Sequence, residues 1–277
     1  MPRGSISIAL LLSVLGSGCA VVGEEQEADT DELALETCDV RLHSMDASLD
    51  VESLLHILVP AANVESYVPA PFQILRVPDP LGGGDRALLW VLAGDINSIV
   101  TDGVAAGPLL SAHLFVQIQE PTAPAGYPNT LGAVHLYELE LILNNKTVVD
   151  WFVKNLDGST YVNRQMSVTR VAPGLLPGIF QMNVGGNPQY GQFTYHVEYP
   201  LLLSGPAPVV HGWWSRDKGL VRWDPVMTGE VSLALDGEVC TEDGTRLRQI
   251  FGTRCRTGTG FVTSIDVDST YKNWPCL

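Results

Sequence analysis

Two glutamates, Glu138 and Glu140, lie in an otherwise apolar segment, VHLYELELIL, that has the character of a β-strand. Residues two apart on a strand share a face, so both carboxyl groups share theirs with Leu136 and Ile142. If that face points inward, burial raises the carboxyl pKa values and suits the groups to general acid catalysis. If it points outward, they are ordinary solvated side chains. Both are candidate catalytic residues.

Arg164 begins the apolar face of another predicted strand, on which Met166 and Val168 follow at alternate positions. A guanidinium at the rim of an apolar interior can hold a carboxylate through two parallel hydrogen bonds. The alternative is an arginine that extends from the strand end into water. Arg164 is therefore a candidate ligand-binding residue for an organic acid.

Trp213 and Trp214 are adjacent and precede a predicted turn at residues 215–219. Neighbouring residues on a strand point to opposite faces, so one tryptophan is predicted in the core and the other at the surface. An exposed tryptophan can stack on a sugar ring, whereas a buried one fills the end of a barrel. Both are candidate ligand-binding residues.

The elements that must position these side chains are mostly strands. Turn-bounded, β-branched segments predict strands at residues 86–93, 113–120, 134–143, 164–171, 192–199, 229–235 and 260–266. Helical spacing of apolar residues is confined to 46–58 and 145–155. The pattern predicts a mainly β fold: a single antiparallel β-barrel or cone-like sheet domain over residues 39–277, with one or two short helices.

The N-terminus predicts export. Arg3, an apolar run from Ile6 to Leu15 and the small residues at 16–18 form a signal peptide over residues 1–18. Cys19 follows as in a bacterial lipobox, so it is the predicted lipidation site and membrane anchor of an outer-membrane lipoprotein, periplasmic or cell-surface in location. The acidic residues 19–38 read as an extended tether. The alternative is cleavage after Ala20 and secretion.

Cysteine usage agrees with export. Besides Cys19 the chain has Cys38, Cys240, Cys255 and Cys276, which allow three pairings in an oxidising compartment. We favour Cys240 with Cys255 and Cys38 with Cys276. No Cys-x-x-Cys spacing, phosphate loop or dinucleotide fingerprint occurs, so no metal and no cofactor are predicted.

The composition of the chain limits the classes of molecule that it is expected to bind. A hydrophobic content of 45% with 17% charged residues is typical of a globular chain. The net charge of −15 argues against a nucleic-acid partner, because phosphate binding needs clustered Lys and Arg. A small-molecule ligand is the expected partner.

The order of several segments resembles a known family. The chain reads LLHILVPAANVESYVPAPFQIL, RALLWVLAGDI, GPLLSAHLFVQIQEP, HLYELELILNNKTVVDWFVKNLDGST and SLALDGEVCTEDGTRLRQIFG in turn. Over residues 53–252 this is similar to the acetoacetate decarboxylase-like superfamily. The resemblance implies a cone-shaped antiparallel barrel around a small pocket for acidic substrates.

The resemblance also implies a lysine that forms a Schiff base with an oxo acid. The corresponding stretch here, DGSTYVNRQM, has no lysine, and Arg164 near that position cannot form an imine. The nearest lysines, Lys146 and Lys154, complete the catalytic candidates. We expect a lipid-anchored β-barrel that binds a small organic-acid or apolar ligand. The alternatives are a decarboxylase or lyase-type enzyme of this superfamily, and a carbohydrate-binding or surface-adhesion module.

Overall fold

The computed structural model describes residues 39–79, 84–156, 160–162, 165–173, 176–187, 191–199, 208–216 and 219–275. The strands in this part of the chain are β1 (Arg41–Pro60), β2 (Arg76–Pro78), β3 (Asp85–Thr101), β4 (Val104–Ala106), β5 (Leu109–Ile118), β6 (Val134–Leu143), β7 (Thr160–Val162), β8 (Met166–Val171), β9 (Gly178–Asn187), β10 (Gly191–Tyr199), β11 (Val210–Arg216), β12 (Gly219–Thr241) and β13 (Cys255–Trp274). The α-helices are α1 (Lys146–Leu156) and α2 (Arg246–Phe251), and two short 3₁₀ turns span Ala61–Asn63 and Glu65–Tyr67.

Seven strands close into a barrel. The ring runs β6, β5, β3, β1, β13, β12 and β11, and β11 returns to β6. The closing pair is parallel, with Val210 opposite Val134, and β7 also pairs with β6 in parallel. The predicted mainly β barrel with few short helices is confirmed, although its sheet is mixed and not purely antiparallel.

A second layer of sheet covers part of the barrel wall. The second half of β12 leaves the ring to pair with β10, which continues through β9 to β8. This layer and α2 lie over the outer face of β1, where Leu55, Ile57 and Val59 are fully buried. Across this layer the hydroxyls of Ser53 and Tyr195 lie 2.8 Å apart. Both faces of β1 are therefore mostly buried between Ser53 and Ile57.

The prediction of a helix over residues 46–58 is wrong, because these residues belong to β1. A register shift between Leu49 and Glu52 places a bulge in the strand. Ala47 and Leu49 line the barrel interior before the bulge, and Glu52 and Leu54 line it afterwards. The three-residue step from 49 to 52 mimics helical spacing, and burial on both faces removes the usual alternation.

The second predicted helix is confirmed as α1. Its Val148 and Phe152 line the barrel interior, so the helix closes one end of the ring. The indole of Trp214 fixes the end of the helix by donating to the Leu156 carbonyl at 2.9 Å. The six residues of α2 are too few to show a period, and no helix is predicted there.

Several predicted features lie outside the described residues: the signal peptide, the lipidation site Cys19, the acidic tether, Arg164, and the Cys38 and Cys276 pair. The other predicted disulfide is present, with Cys240 and Cys255 joined at an S–S distance of 2.12 Å. Within the described part of the chain, no helix combines the length and the apolarity needed to cross a membrane.

Candidate active site

The barrel interior contains two small cavities. The first, here called the α1-side cavity, has a volume of about 50 Å³ and is lined by Ser111, His113, Leu141, Val148 and Phe152. The second, the aromatic cavity, has a volume of about 40 Å³ and is lined by Leu54, Trp90, Phe115, Val210 and Phe261. Glu52, Trp223 and Met227 line both. Each cavity has room for roughly three water molecules or a group of that size.

Glu52 lies where the two cavities meet. The bulge in β1 turns its side chain inward, opposite Gly94 of β3 and Thr263 of β13. Burial raises the pKa of the Glu52 carboxyl to about 7. Water-sized space beside the carboxyl leaves the residue partly accessible, although protein surrounds it. A carboxyl group with this pKa can both donate and accept a proton near neutral pH.

His113 supplies the second polar group of the α1-side cavity. Burial lowers its pKa to about 3, so the imidazole is neutral at physiological pH. Its Nε2 is buried and has no hydrogen-bond partner among the described residues. The ring packs edge-on to Phe115 and Trp223, with centroids 5.2 and 6.4 Å away. Buried polar atoms are nearly always paired, so an unpaired one in a cavity wall marks a position for a water molecule or for a polar group of a ligand.

Trp90 supplies an unpaired polar atom to the aromatic cavity, as His113 does to the α1-side cavity. Its Nε1 is also buried without a hydrogen-bond partner in the described part of the chain. His56 stacks edge-on to Trp90 at 4.4 Å and to Phe261 at 5.8 Å. His56 itself lines an open surface groove together with Leu58 and Thr259. This imidazole therefore separates the aromatic cavity from the groove outside the barrel.

The predicted catalytic glutamates are both buried, at 3% exposure for Glu138 and 2% for Glu140. A register shift in the β5–β6 pair sets Glu138 opposite Phe115 and Glu140 opposite Leu114. Phe115 lines the aromatic cavity, whereas Leu114 and Glu140 line a separate pocket beneath α2. The prediction that the two carboxyl groups share one face is therefore wrong, because a bulge at Leu139 separates them.

The charge of Glu138 affects a tyrosine in the barrel interior. Burial, and then the negative charge of Glu138, raise the pKa of Tyr271 well above its usual value. Tyr271 belongs to an aromatic cluster with Trp214 and Trp223, whose ring centroids lie 6.1 and 6.5 Å away. Glu138 thus acts beside the barrel interior.

The lysine candidates lie on the outside of the barrel. The sequence has four lysines, at positions 146, 154, 218 and 272. Lys146 is exposed and pairs with Asp150 at 2.5 Å, and Lys154 is also exposed. Lys272 pairs with Asp224, and position 218 lies outside the described residues. No lysine that the structure describes lines either cavity, so none there has the desolvated setting that imine formation requires.

Both predicted ligand-binding tryptophans are buried, Trp213 at 0% exposure and Trp214 at 1%. Trp213 donates from Nε1 to His135 Nδ1 at 3.2 Å and packs against Arg222 and Phe72. Trp214 faces the other side and contacts α1. The prediction of one exposed tryptophan is wrong, because packed elements cover both faces of β11. Neither ring is available to stack on a sugar.

Comparisons with known proteins agree with this architecture. No protein-family profile and no curated protein matches the sequence. Among solved structures, the acetoacetate decarboxylase of Legionella pneumophila is similar with a TM-score of 0.56, at 7% identity over 83% of this chain and 86% of that one. An acetoacetate decarboxylase-like enzyme from Sphingomonas wittichii RW1 gives 0.52 at 10% identity, over 85% and 92%.

The enduracididine biosynthesis enzyme MppR, in complex with pyruvate, gives a TM-score of 0.52 at 11% identity over 87% of this chain and 91% of that one. At such identities the similarity shows the fold. The chain has the acetoacetate decarboxylase-like fold, and the resemblance predicted from segment order is confirmed at that level. These three solved structures are enzymes.

The sequence reasoning missed Glu52, His113 and Trp90. The sequence contains one signal for Glu52, which is the one charged residue in the run VESLLHILVP. Its inward direction depends on the bulge, which the sequence pattern does not reveal. His113 and Trp90 stand at the start and in the middle of predicted strands, where nothing distinguishes them from packed residues.

Proposed function

We propose that this protein is a lyase-type enzyme that decarboxylates a small 3-oxo acid, with Glu52 as the acid in place of a lysine imine. The observation that carries the proposal is the enclosed Glu52 carboxyl, whose pKa of about 7 keeps it partly protonated at neutral pH. The carboxyl adjoins two cavities, each with room for a group of about three non-hydrogen atoms. The shared fold of known decarboxylases adds support as an analogy.

In this reaction Glu52 donates a proton to the substrate and later takes one back. The protonated Glu52 donates its proton to the 3-oxo carbonyl oxygen as the bond to the carboxylate carbon breaks. The electron pair of that bond forms the enol, and carbon dioxide leaves. The enol then returns its hydroxyl proton to Glu52 and takes a solvent proton at carbon, which yields the ketone. Carbon dioxide leaves uncharged, so the negative charge of the substrate passes to Glu52 in the first step and is neutralised when the solvent proton is taken up.

His113 suits the role of a neutral hydrogen-bonding partner. Because its pKa is about 3, it does not take the proton that Glu52 must deliver. With the proton on Nε2, it can donate to the carbonyl or enol oxygen in the α1-side cavity. The carboxylate of the substrate has no cationic partner among the described residues that line the cavities. Arg164, which lies outside those residues, remains its predicted partner.

The test is a substrate panel with three proteins. Wild type is assayed for carbon dioxide release from acetoacetate, 3-oxopentanoate and 3-oxohexanoate, and for consumption of pyruvate, the compound bound in the MppR structure. Glu52→Gln, which keeps the size but not the acid, should lose at least a hundredfold in kcat. Asp46→Asn, at an exposed position of the same strand, should keep wild-type rates.

Borohydride trapping during turnover separates this mechanism from imine chemistry. The proposal expects no gain in intact mass with any substrate that is turned over. A ligand-sized mass gain would identify a lysine imine and overturn the role of Glu52. Full activity of Glu52→Gln would overturn it as well.

A ligand-binding barrel without turnover is the second candidate. It is favoured by the lack of a cavity-lining lysine in the described part of the chain. Thermal stabilisation of wild type by these acids, with no product formed, would select it. The carbohydrate-binding alternative has lost its support with the burial of Trp213 and Trp214.

We also propose that the protein is an exported lipoprotein anchored through Cys19. The Cys240–Cys255 disulfide supports an oxidising compartment. Intact mass of the protein purified from membranes should show a diacylglycerol on Cys19, and Cys19→Ser should move the protein to the soluble fraction. An unmodified, soluble wild-type protein would contradict the anchor.

A further inference from the structure

The Cys240–Cys255 disulfide lies in the second layer of sheet, with a carboxylate beside it. The two cysteines are directly opposite each other on β12 and β13, and Glu238 shares their face because it stands two residues before Cys240. The two Sγ atoms and a carboxylate oxygen of Glu238 all lie within 4.8 Å of one another. Both cysteines are half-buried, Glu238 is exposed, and Cys255 lines a surface groove. Solvent therefore reaches this cluster, which is separate from the interior cavities.

Strand β10 places an imidazole next to the same cluster. His196 is directly opposite Glu238 in the β10–β12 pair. Opposite residues of an antiparallel pair share a face and have Cβ atoms about 5 Å apart, so both can reach one ion. The His196 side chain is 39% exposed, and its Nε2 lies 3.8 Å from Glu198 Oε1. A ring with this exposure can turn towards Glu238 without displacing packed residues.

We propose that opening this disulfide creates a zinc site, whose ligands are Cys240, Cys255, Glu238 and His196. Zinc takes four ligands in a tetrahedron, with thiolate sulfur at about 2.3 Å and imidazole nitrogen or carboxylate oxygen at about 2.0–2.2 Å. Ligand atoms at those distances from one ion lie about 3–4 Å apart, so the present cluster needs only changes of side-chain rotamer. The net charge of −15 also favours divalent cations near the surface.

Reduction must come first, because a bridged sulfur atom is not a thiolate ligand. Two molecules of a small thiol supply two electrons and two protons: they become a disulfide, and Cys240 and Cys255 become thiols. The zinc ion then displaces the two thiol protons as it binds. Exposed disulfides are reduced more readily than buried ones. In an oxidising compartment the pair stays bridged and binds no zinc, so metal binding reports contact with a reductant.

Metal titration of the full chain tests this site without any assay of turnover. The protein is prepared in its disulfide-bonded form and in a reduced form, with the reductant removed under anaerobic conditions. Cobalt is the probe, because cobalt bound to thiolates has a charge-transfer absorption that zinc abolishes when it displaces cobalt. The reduced form should show this absorption and the bridged form should not. A variant with Cys19→Ser, Cys38→Ser and Cys276→Ser should behave in the same way, because it retains only the two cysteines of the cluster.

Glu238→Gln is the decisive variant, because the position is exposed and the change is not expected to disturb folding. It should weaken cobalt binding at least tenfold, since losing even the hydrogen-bonding partner of a metal ligand costs about 10–100-fold in affinity. His196→Gln should weaken it similarly. Glu198→Gln makes the matched change at another exposed position of the same sheet and should bind as wild type does. Cys240→Ser should remove most of the charge-transfer absorption.

Three results would overturn the proposal. The first is a reduced wild type without the cobalt absorption, and the second is a bridged form that has it. The third is equal affinity in Glu238→Gln and Glu198→Gln, which would show that the carboxylate is not a ligand. Circular dichroism of the reduced protein verifies that the ion binds to folded chain, and a spectrum that stays unfolded with zinc present would also reject the site.

Discussion

Gly94 lies directly opposite Glu52 in the β1–β3 pair, and its missing side chain makes room for Ser111. A Cβ atom at position 94 would come within 2.7 Å of Ser111 Oγ and 3.6 Å of Leu49 Cδ2. Ser111 lines the α1-side cavity beside the carboxyl of Glu52. This glycine therefore leaves the space that Ser111 occupies in the cavity wall, and no left-handed backbone conformation is needed to explain it.

The first prediction concerns that contact. Gly94→Ala should cost about 1–3 kcal/mol in unfolding free energy and lower kcat/KM at least tenfold, because Ser111 must move into the cavity. Denaturant unfolding and steady-state kinetics measure the two effects. Adding Ser111→Ala removes the clashing oxygen and should restore most of the lost stability. If the double variant is no more stable than Gly94→Ala, the contact with Ser111 is not the cause.

The second prediction follows the protonation of Glu52. Activity depends on the protonated carboxyl, so kcat should fall as pH rises through about 7. The raised pKa also lowers stability above pH 4.5, the ordinary value, because the folded state then holds a proton that the unfolded state has released. Glu52→Gln should therefore be more stable than wild type at pH 8, by on the order of 3 kcal/mol. At pH 4 the two should be alike. A flat difference between pH 4 and 8 would contradict the burial of this group.

The third prediction concerns Asp224, where four charged or polar side chains meet outside the barrel interior. Burial raises the pKa of Asp224, but hydrogen bonds from His211, Lys272 and Arg222 outweigh it and lower the pKa to about 2. His211 Nδ1 lies 2.5 Å from the carboxylate, and its Nε2 accepts from the Thr130 amide at 3.1 Å. His211 thus joins the carboxylate to the loop that contains Thr130.

A depressed pKa supplies stability above the unfolded value, and that stability is lost as pH falls from about 4 towards 2. Asp224→Asn should cost on the order of 3 kcal/mol at pH 7, because it leaves Arg222 buried without its charge partner. The cost should shrink below pH 3, as measured by urea unfolding. Asp150→Asn, which breaks the exposed pair with Lys146, should change stability by less than about 1 kcal/mol.

The fourth prediction concerns Arg164. Arg164→Ala should abolish binding of carboxylate ligands, and Arg164→Lys should restore part of it, because lysine keeps the charge without the bidentate geometry. Isothermal titration with 3-hydroxyhexanoate measures both. Unchanged affinity in Arg164→Ala would remove this residue from the site.

How far the sequence predicts this protein can be judged at β1 and β6. Alternation and turn residues suffice for a mainly β barrel, since a strand such as β10 shows clear alternation of polar and apolar residues. The bulges do not show in the pattern, yet the one at Leu49–Glu52 decides that Glu52 faces inward, and the one at Leu139 separates Glu138 from Glu140. The candidate site depends on these single-residue shifts. Lys146 and Lys154 are candidates because they are the lysines nearest in sequence to the stretch DGSTYVNRQM. Sequence distance does not reveal that both lie on the exposed side of α1.

In the ring β1 pairs with β3 on one side and with β13 on the other, and the β1–β13 pairs run from Arg41 opposite Asn273 to His56 opposite Thr259. More than 200 residues of chain separate these partners, so this seam has a high contact order and is expected to be slow to close. Until the last strand has been synthesised, the barrel stays open and the Glu52 carboxyl remains in water with the pKa of an ordinary glutamate. The chemistry of the site is therefore acquired only when the first and last strands meet.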